Sequence, residues 1–152
     1  MSKYNFYWNK YLKDLGCNRN NIDPTKFSRS SKTKKLKEKT GIDYRECYNL
    51  DMSMAVYIYS RLSLYKDHTI TDLRYEEKDY GDYHGFLDDA INVVLTGLRL
   101  YIRQSDTEKY LKKCQKYLGL ETRPDFFQYT AAELSYKKAI NMFANIAPYL
   151  WD

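Results

Sequence analysis

The stretch FLDDAINVVLTGLRLYIRQ, Phe86 to Gln104, is the most apolar in the chain, and its reading decides the fold class. Leu87, Ile91, Val94, Leu98 and Tyr101 recur every three or four positions, and Phe86, Val93, Leu95 and Ile102 lie on either side of that stripe. β-branched residues are common here, which suits a strand, but nineteen residues favour a central helix. Gly97 inside it costs about 1 kcal/mol relative to alanine. Close contact with another helix explains that glycine better than a kink beside a site.

Helical signals continue on both sides. Ser105 and Glu108 predict a capping box for a helix to Leu118, closed by Gly119. Thr130 and Glu133 repeat the signature before a helix over Ala131 to Ala147, with Leu134, Ile140, Phe143 and Ala147 inward and Pro148 as the stop. Asp125 to Phe127 is expected to seal the gap between these helices, and Tyr149, Leu150 and Trp151 to dock back on the body. Upstream, Asn49 or Asp51 caps a predicted helix from Leu50 to Lys66, with Leu50, Met54, Ile58, Leu62 and Tyr65 along one side. Asp67 to Gly85 reads as a polar connector holding at most one helical turn. Tyr4, Trp8, Tyr11 and Leu15 predict a short amphipathic helix over 3–15, ended at Gly16. The expected fold is all-α: a compact bundle of four or five main helices over residues 44–152, preceded by the short helix and a basic, mobile extension over 1–43.

Charge is unevenly placed. Lys26 to Lys39 holds seven basic residues and one acid, Glu38, while the whole chain of 152 residues carries +5. Residues 46–152 hold 13 basic and 16 acidic side chains, so a basic front end precedes a mildly acidic body. Arg29, Lys32, Lys34, Lys35, Lys37 and Lys39, with Phe27 nearby, are anion-binding candidates that would neutralise phosphates without reading sequence. A solvated arm is the plain alternative. Seventeen tyrosines suit amphipathic helices, contact surfaces or stacking platforms. Cys17, Cys47 and Cys114 are odd in number and form no CxxC pair, which points to a reduced, intracellular protein. Cys47 reads as a small buried residue. MSKYNFYWNKYLKD lacks a signal peptide's apolar core, and no run approaches a membrane span.

Asp51, Arg61, Asp88, Asn92 and Arg99 form a candidate polar cluster, either a ligand groove or internal pairing. Asp88 and Asp89 favour the start of their helix through its dipole. Asp88 and Arg99 share a face but stand three turns apart, so they cannot touch each other. His68 and His84, even with Asp67, Asp72, Asp79 or Asp82, match no metal-ligand spacing. No nucleophile has a recognisable base, and Gly81, Gly85 and Gly97 form no phosphate loop. No cofactor or metal is expected, and binding outranks catalysis.

Tyr48-Asn49-Leu50-Asp51, with Ala55-Val56-Tyr57-Ile58 and Ser60-Arg61-Leu62, resembles a block of small uncharacterised proteins encoded by tailed bacteriophages. Ser60 stands where that block usually has proline. Phe86-Leu87-Asp88-Asp89-Ala90-Ile91 is similar to a second block, with Asp89 in place of lysine, and Lys138 to Ala144 and Leu150-Trp151 resemble its close. The resemblance implies helical architecture and an accessory protein in the cytoplasm of an infected bacterial host. The expected function is non-enzymatic binding of a host or phage protein, including a defence component. The alternatives are nucleic-acid binding through 26–39, or a nucleotide-like anion held between Arg61, Arg99 and neighbouring tyrosines. Self-association into a homo-oligomer is compatible with any of these; a membrane partner is not expected.

Overall fold

The apolar stripe of Phe86–Gln104 becomes a helix that buries Leu87, Ala90, Ile91, Val94, Leu98 and Tyr101 on its inner side. A computed structural model describes residues 8–22, 30–47, 49–120 and 128–150. The chain is mostly helical, with one small sheet, and divides into two units, residues 1–60 and 61–152. Helix α4, Leu50–His68, runs through the division.

The second unit is built on α5, Leu87–Ile102, α6, Glu108–Leu118, and α7, Gln128–Ile146. Helix α5 packs along α7, whose fully buried positions before the terminal Ile146 are small: Ala131, Ala132, Ser135 and Ala139. Small side chains let two helix backbones approach closely, and Gly97 answers them from α5. A Cβ on Gly97 would lie 2.7 Å from the Ala139 Cβ and 2.3 Å from the Tyr117 hydroxyl. The expected inner row of α7 needs correction: Leu134, Ile140 and Phe143 are only half-buried, and Ala147 opens a 3₁₀ turn, Ala147–Tyr149, holding Pro148. Because α7 begins at Gln128, Thr130 lies inside it and caps nothing. Asp125 to Phe127 lie outside the described residues.

The second correction concerns the connector. Strands β1, Glu77–Tyr80, and β2, Tyr83–Phe86, pair antiparallel, so the chain is not wholly helical. Gly81 opens the two-residue turn at φ +64°, a conformation costly for other residues. Tyr80 is buried and meets Tyr149 edge-on, with ring centroids 5.2 Å apart. The strands are short and polar, and that aromatic contact from the far end of the sequence supplies what local pattern does not.

In the first unit, α1, Lys10–Asp14, is capped by Asn9, whose Oδ1 accepts from the Tyr11 and Leu12 amides. The expected helix over 3–15 is thus shorter within the described residues, and residues 1–7 lie outside them. A four-residue turn of helix, α2, covers Arg19–Ile22. The basic stretch forms α3, Ser31–Thr40, with Ser30 accepting from the Thr33 amide and Gly41 closing the helix in the left-handed conformation. Both ends are capped locally, which explains a helix so rich in lysine. A 3₁₀ turn follows at Tyr44–Cys47, where Cys47 is exposed rather than buried as expected. Leu12, Leu15, Ile22, Ala55, Val56 and Ile58 are buried in this unit. Asp43 and Arg45 are also buried, joined by a two-point ion pair with Arg45 Nε 2.9 Å from Asp43 Oδ1. Hydrogen bonds from the guanidinium hold the Asp43 carboxyl down at about 2, against the desolvation that raises it.

Candidate functional site

A cavity of about 710 Å³ lies between α5 and α6, within the range of small-ligand clefts. Thr96, Arg99 and Arg103 recur at i, i+3 and i+7, so α5 and the residue just past its end turn one line of side chains to the groove. Lys109, Lys113 and Lys116 recur at i, i+4 and i+7, so α6 answers with a second line. Leu100, Tyr110 and Tyr117 contribute apolar surface between the two lines, and Ser105 and Thr107 close the end where the helices connect. Five cations line this groove and, among the described residues, no carboxylate does.

Local chemistry explains how α6 is held. Thr107 caps it by accepting from the Tyr110 amide at 3.2 Å, in place of the expected Ser105, which accepts instead from the Thr107 amide. Thr107 stands three residues before its donor, as a cap requires; Ser105 stands five before. Gly119 ends the helix at φ +70°, as the spacing predicted. Tyr110, Cys114 and Ala131 pack with Leu100 in one cluster. The Tyr110 hydroxyl donates to the Leu100 carbonyl at 2.7 Å, and the Tyr117 hydroxyl donates to the Val93 carbonyl at 2.8 Å. Burial pushes both phenols well above their ordinary pKa, so both remain neutral donors pinning α6 to α5. Lys138 donates to the Tyr117 carbonyl and sits 4.3 Å over the Tyr117 ring. Its partial burial lowers its pKa.

Charge within this unit is segregated. Residues 96–117 hold six basic and two acidic side chains; residues 67–89 hold eight acidic and two basic ones. One acid of the groove segment, Glu108, pairs with Lys112 at 3.0 Å, and neither residue lines the groove. The net charge of the body conceals both regions.

The expected polar cluster is only partly assembled. Asp88 and Asn92 meet at Lys66, whose Nζ lies 3.5 Å from Asp88 Oδ1 and donates to Asn92. Arg99 stands farther along α5 and belongs to the groove. Asp51 and Arg61 are exposed positions of α4, and neither lines the groove. Of the anion-binding candidates, Lys32, Lys34, Lys35, Lys37 and Lys39 are exposed on α3, while Arg29 lies outside the described residues. Lys32, Lys35 and Lys39 share one flank of that helix with Leu36, around a shallow depression.

Arg103, Lys109, Lys113 and Lys116 were not singled out by sequence reasoning. Their signal was the matched spacing of basic residues in two consecutive helices, which averaging over 46–152 erased. His84 is exposed, with Nδ1 2.6 Å from Asp79 Oδ1 and Nε2 3.5 Å from Glu77, and these carboxylates raise its pKa. Among the described residues, no group of three or more His, Cys, Asp or Glu side chains is placed to hold a metal ion, and no helix is long and apolar enough to cross a membrane. Compared with models of protein families, with curated proteins and with solved structures, the chain matches none.

Proposed function

We propose that this protein is a non-enzymatic binding protein that holds an anionic ligand in the groove between α5 and α6. The observation carrying the proposal is the pair of facing basic lines, five cations with no carboxylate among the described lining residues. Like charges gathered along one cleft repel one another, and a bound anion relieves that repulsion while drawing ligand from a distance. The described lining contains no histidine, thiol or carboxylate, and the hydroxyls of Ser105, Thr107, Tyr110 and Tyr117 are already hydrogen-bonded, so charge and shape are what it presents.

The accessory role implied by the phage-like blocks fits this proposal, with a host or phage protein reached through exposed tyrosines such as Tyr44, Tyr57 and Tyr75. A second reading, nucleic-acid binding on α3, draws support from the shared flank of Lys32, Lys35 and Lys39. Calorimetry with pyrophosphate and a short DNA strand separates the readings. Under the groove proposal at least one probe binds, and Arg99→Gln combined with Lys113→Gln weakens it by tenfold or more. Lys112→Gln, outside the groove, changes little. Failure of both probes to bind, or wild-type affinity in the double variant, refutes the proposal.

A further inference from the structure

We infer that the groove's ligand is the sugar–phosphate backbone of a single-stranded nucleic acid, held without reading its bases. The inference rests on the groove being the anion site. It adds the ligand's class from three features of the walls.

The first is spacing. Arg99 and Arg103 stand about 6 Å apart along α5, and Lys109, Lys113 and Lys116 extend over about 10 Å of α6. Successive phosphates of a strand are separated by a sugar, so each meets its own cation along such lines. The phosphates of a nucleoside triphosphate share bridging oxygens and crowd within about one helical turn, leaving the remaining cations unused.

The second is the state of the tyrosines. Tyr110 is 6 % exposed, and its hydroxyl is committed to the Leu100 carbonyl. Tyr117 has its hydroxyl on the Val93 carbonyl, Lys138 over its ring and Gly97 against its edge. Neither ring is an open stacking platform, which single-strand binders use when they grip bases.

The third is the choice of polar side chains. Asn and Gln pair selectively with adenine and Asp and Glu with cytosine, and none of these is among the described lining residues. Arg and Lys, which can pair with guanine, stand here in lines at phosphate spacing. Thr107 is already occupied as a cap, and Ser105 is bonded to it. What remains is cationic contact with phosphate, which gives affinity independent of sequence.

Fluorescence anisotropy on the full chain tests this, using a labelled twelve-nucleotide thymidine strand and the same strand made wholly abasic. The two bind within about twofold of each other. With four or five contacts at about 0.7 each, the logarithmic salt slope is about −3, a loss of roughly sixtyfold between about 50 and 200 mM salt. Lys113→Gln with Lys116→Gln makes the slope shallower by about 1.4. Arg99→Gln with Arg103→Gln does the same from the opposite wall, so misfolding of one variant leaves the other decisive. Replacing Lys32, Lys35 and Lys39 by glutamine leaves the slope unchanged.

A tenfold weaker abasic strand, equal affinity for a duplex or for polyglutamate, or ATP displacing the strand at comparable concentration overturns the inference and leaves the groove as an anion site. Unchanged binding in both groove variants, with loss in the α3 variant, overturns the inference and the groove proposal together.

Discussion

Gly97→Ala sets helix propensity against packing, and the two give opposite signs. Alanine is favoured over glycine within a helix by about 1 kcal/mol, so an isolated α5 would gain stability. In the folded unit the added methyl would stand 2.3 Å from the Tyr117 hydroxyl and 2.7 Å from the Ala139 Cβ. The Ala139 methyl has no rotamer to change and moves only with α7. Tyr117 can turn away only by giving up its 2.8 Å hydrogen bond to Val93. Overpacking costs about 1–3 kcal/mol, and losing that hydrogen bond about 1 kcal/mol. Set against the propensity gain, the net destabilisation is about 1–3 kcal/mol, and for a chain of this size 2 kcal/mol lowers Tm by about 4–8 °C. Urea and thermal unfolding followed by circular dichroism measure it. Tyr117→Phe removes the nearest atom, so it costs about 1 kcal/mol less in the Gly97→Ala background than in wild type. Greater stability in Gly97→Ala, or additive effects in the double variant, would refute the close-packing argument.

Three further predictions concern other groups. The Asp43 carboxyl, held at about 2 rather than 3.8 by Arg45, contributes about 2 kcal/mol that is present above pH 4 and lost as pH falls through 2. Urea midpoints taken from pH 5 down to 2 therefore fall more steeply in wild type than in Asp43→Asn, which at neutral pH is less stable by about 3–5 kcal/mol because Arg45 is left buried without its partner. The Cys114 thiol, fully buried and raised in pKa by desolvation, resists a thiol reagent in native protein while exposed Cys47 reacts; mass spectrometry of the labelled peptides distinguishes them. The His84 imidazole titrates above 6.5 because Asp79 and Glu77 favour its charged form, so its contribution to stability is present at low pH and lost as pH rises through the folded pKa. Asp79→Asn returns the midpoint seen by NMR towards 6.5.

Much of the helical layout was legible. The stripe from Leu87 to Tyr101, the Gly119 stop and the role of Gly97 as a contact glycine all follow from spacing and backbone chemistry, and the structure bears them out. The hairpin was missed because Glu77–Phe86 is short and polar, and its stabilising neighbour Tyr149 is distant in sequence. The inner face of α7 was misjudged because large apolar residues were weighted over Ala131, Ser135 and Ala139. Burial of small residues depends on how closely another helix approaches, which no periodicity records.

The amino-acid sequence by itself determined where helices form, since apolar period, caps and stops act within a few residues. It also determined that the N-terminal stretch is strongly basic. Tertiary structure alone decided which charges face each other. Arg99 and Arg103 turn towards Lys109, Lys113 and Lys116 because Tyr110 and Tyr117 anchor α6 to the carbonyls of α5. Asp88 and Asn92, on the same helix as Arg99, meet Lys66 instead. Electrostatic potential depends on distance in space, so a segment with a net negative count still builds a basic groove.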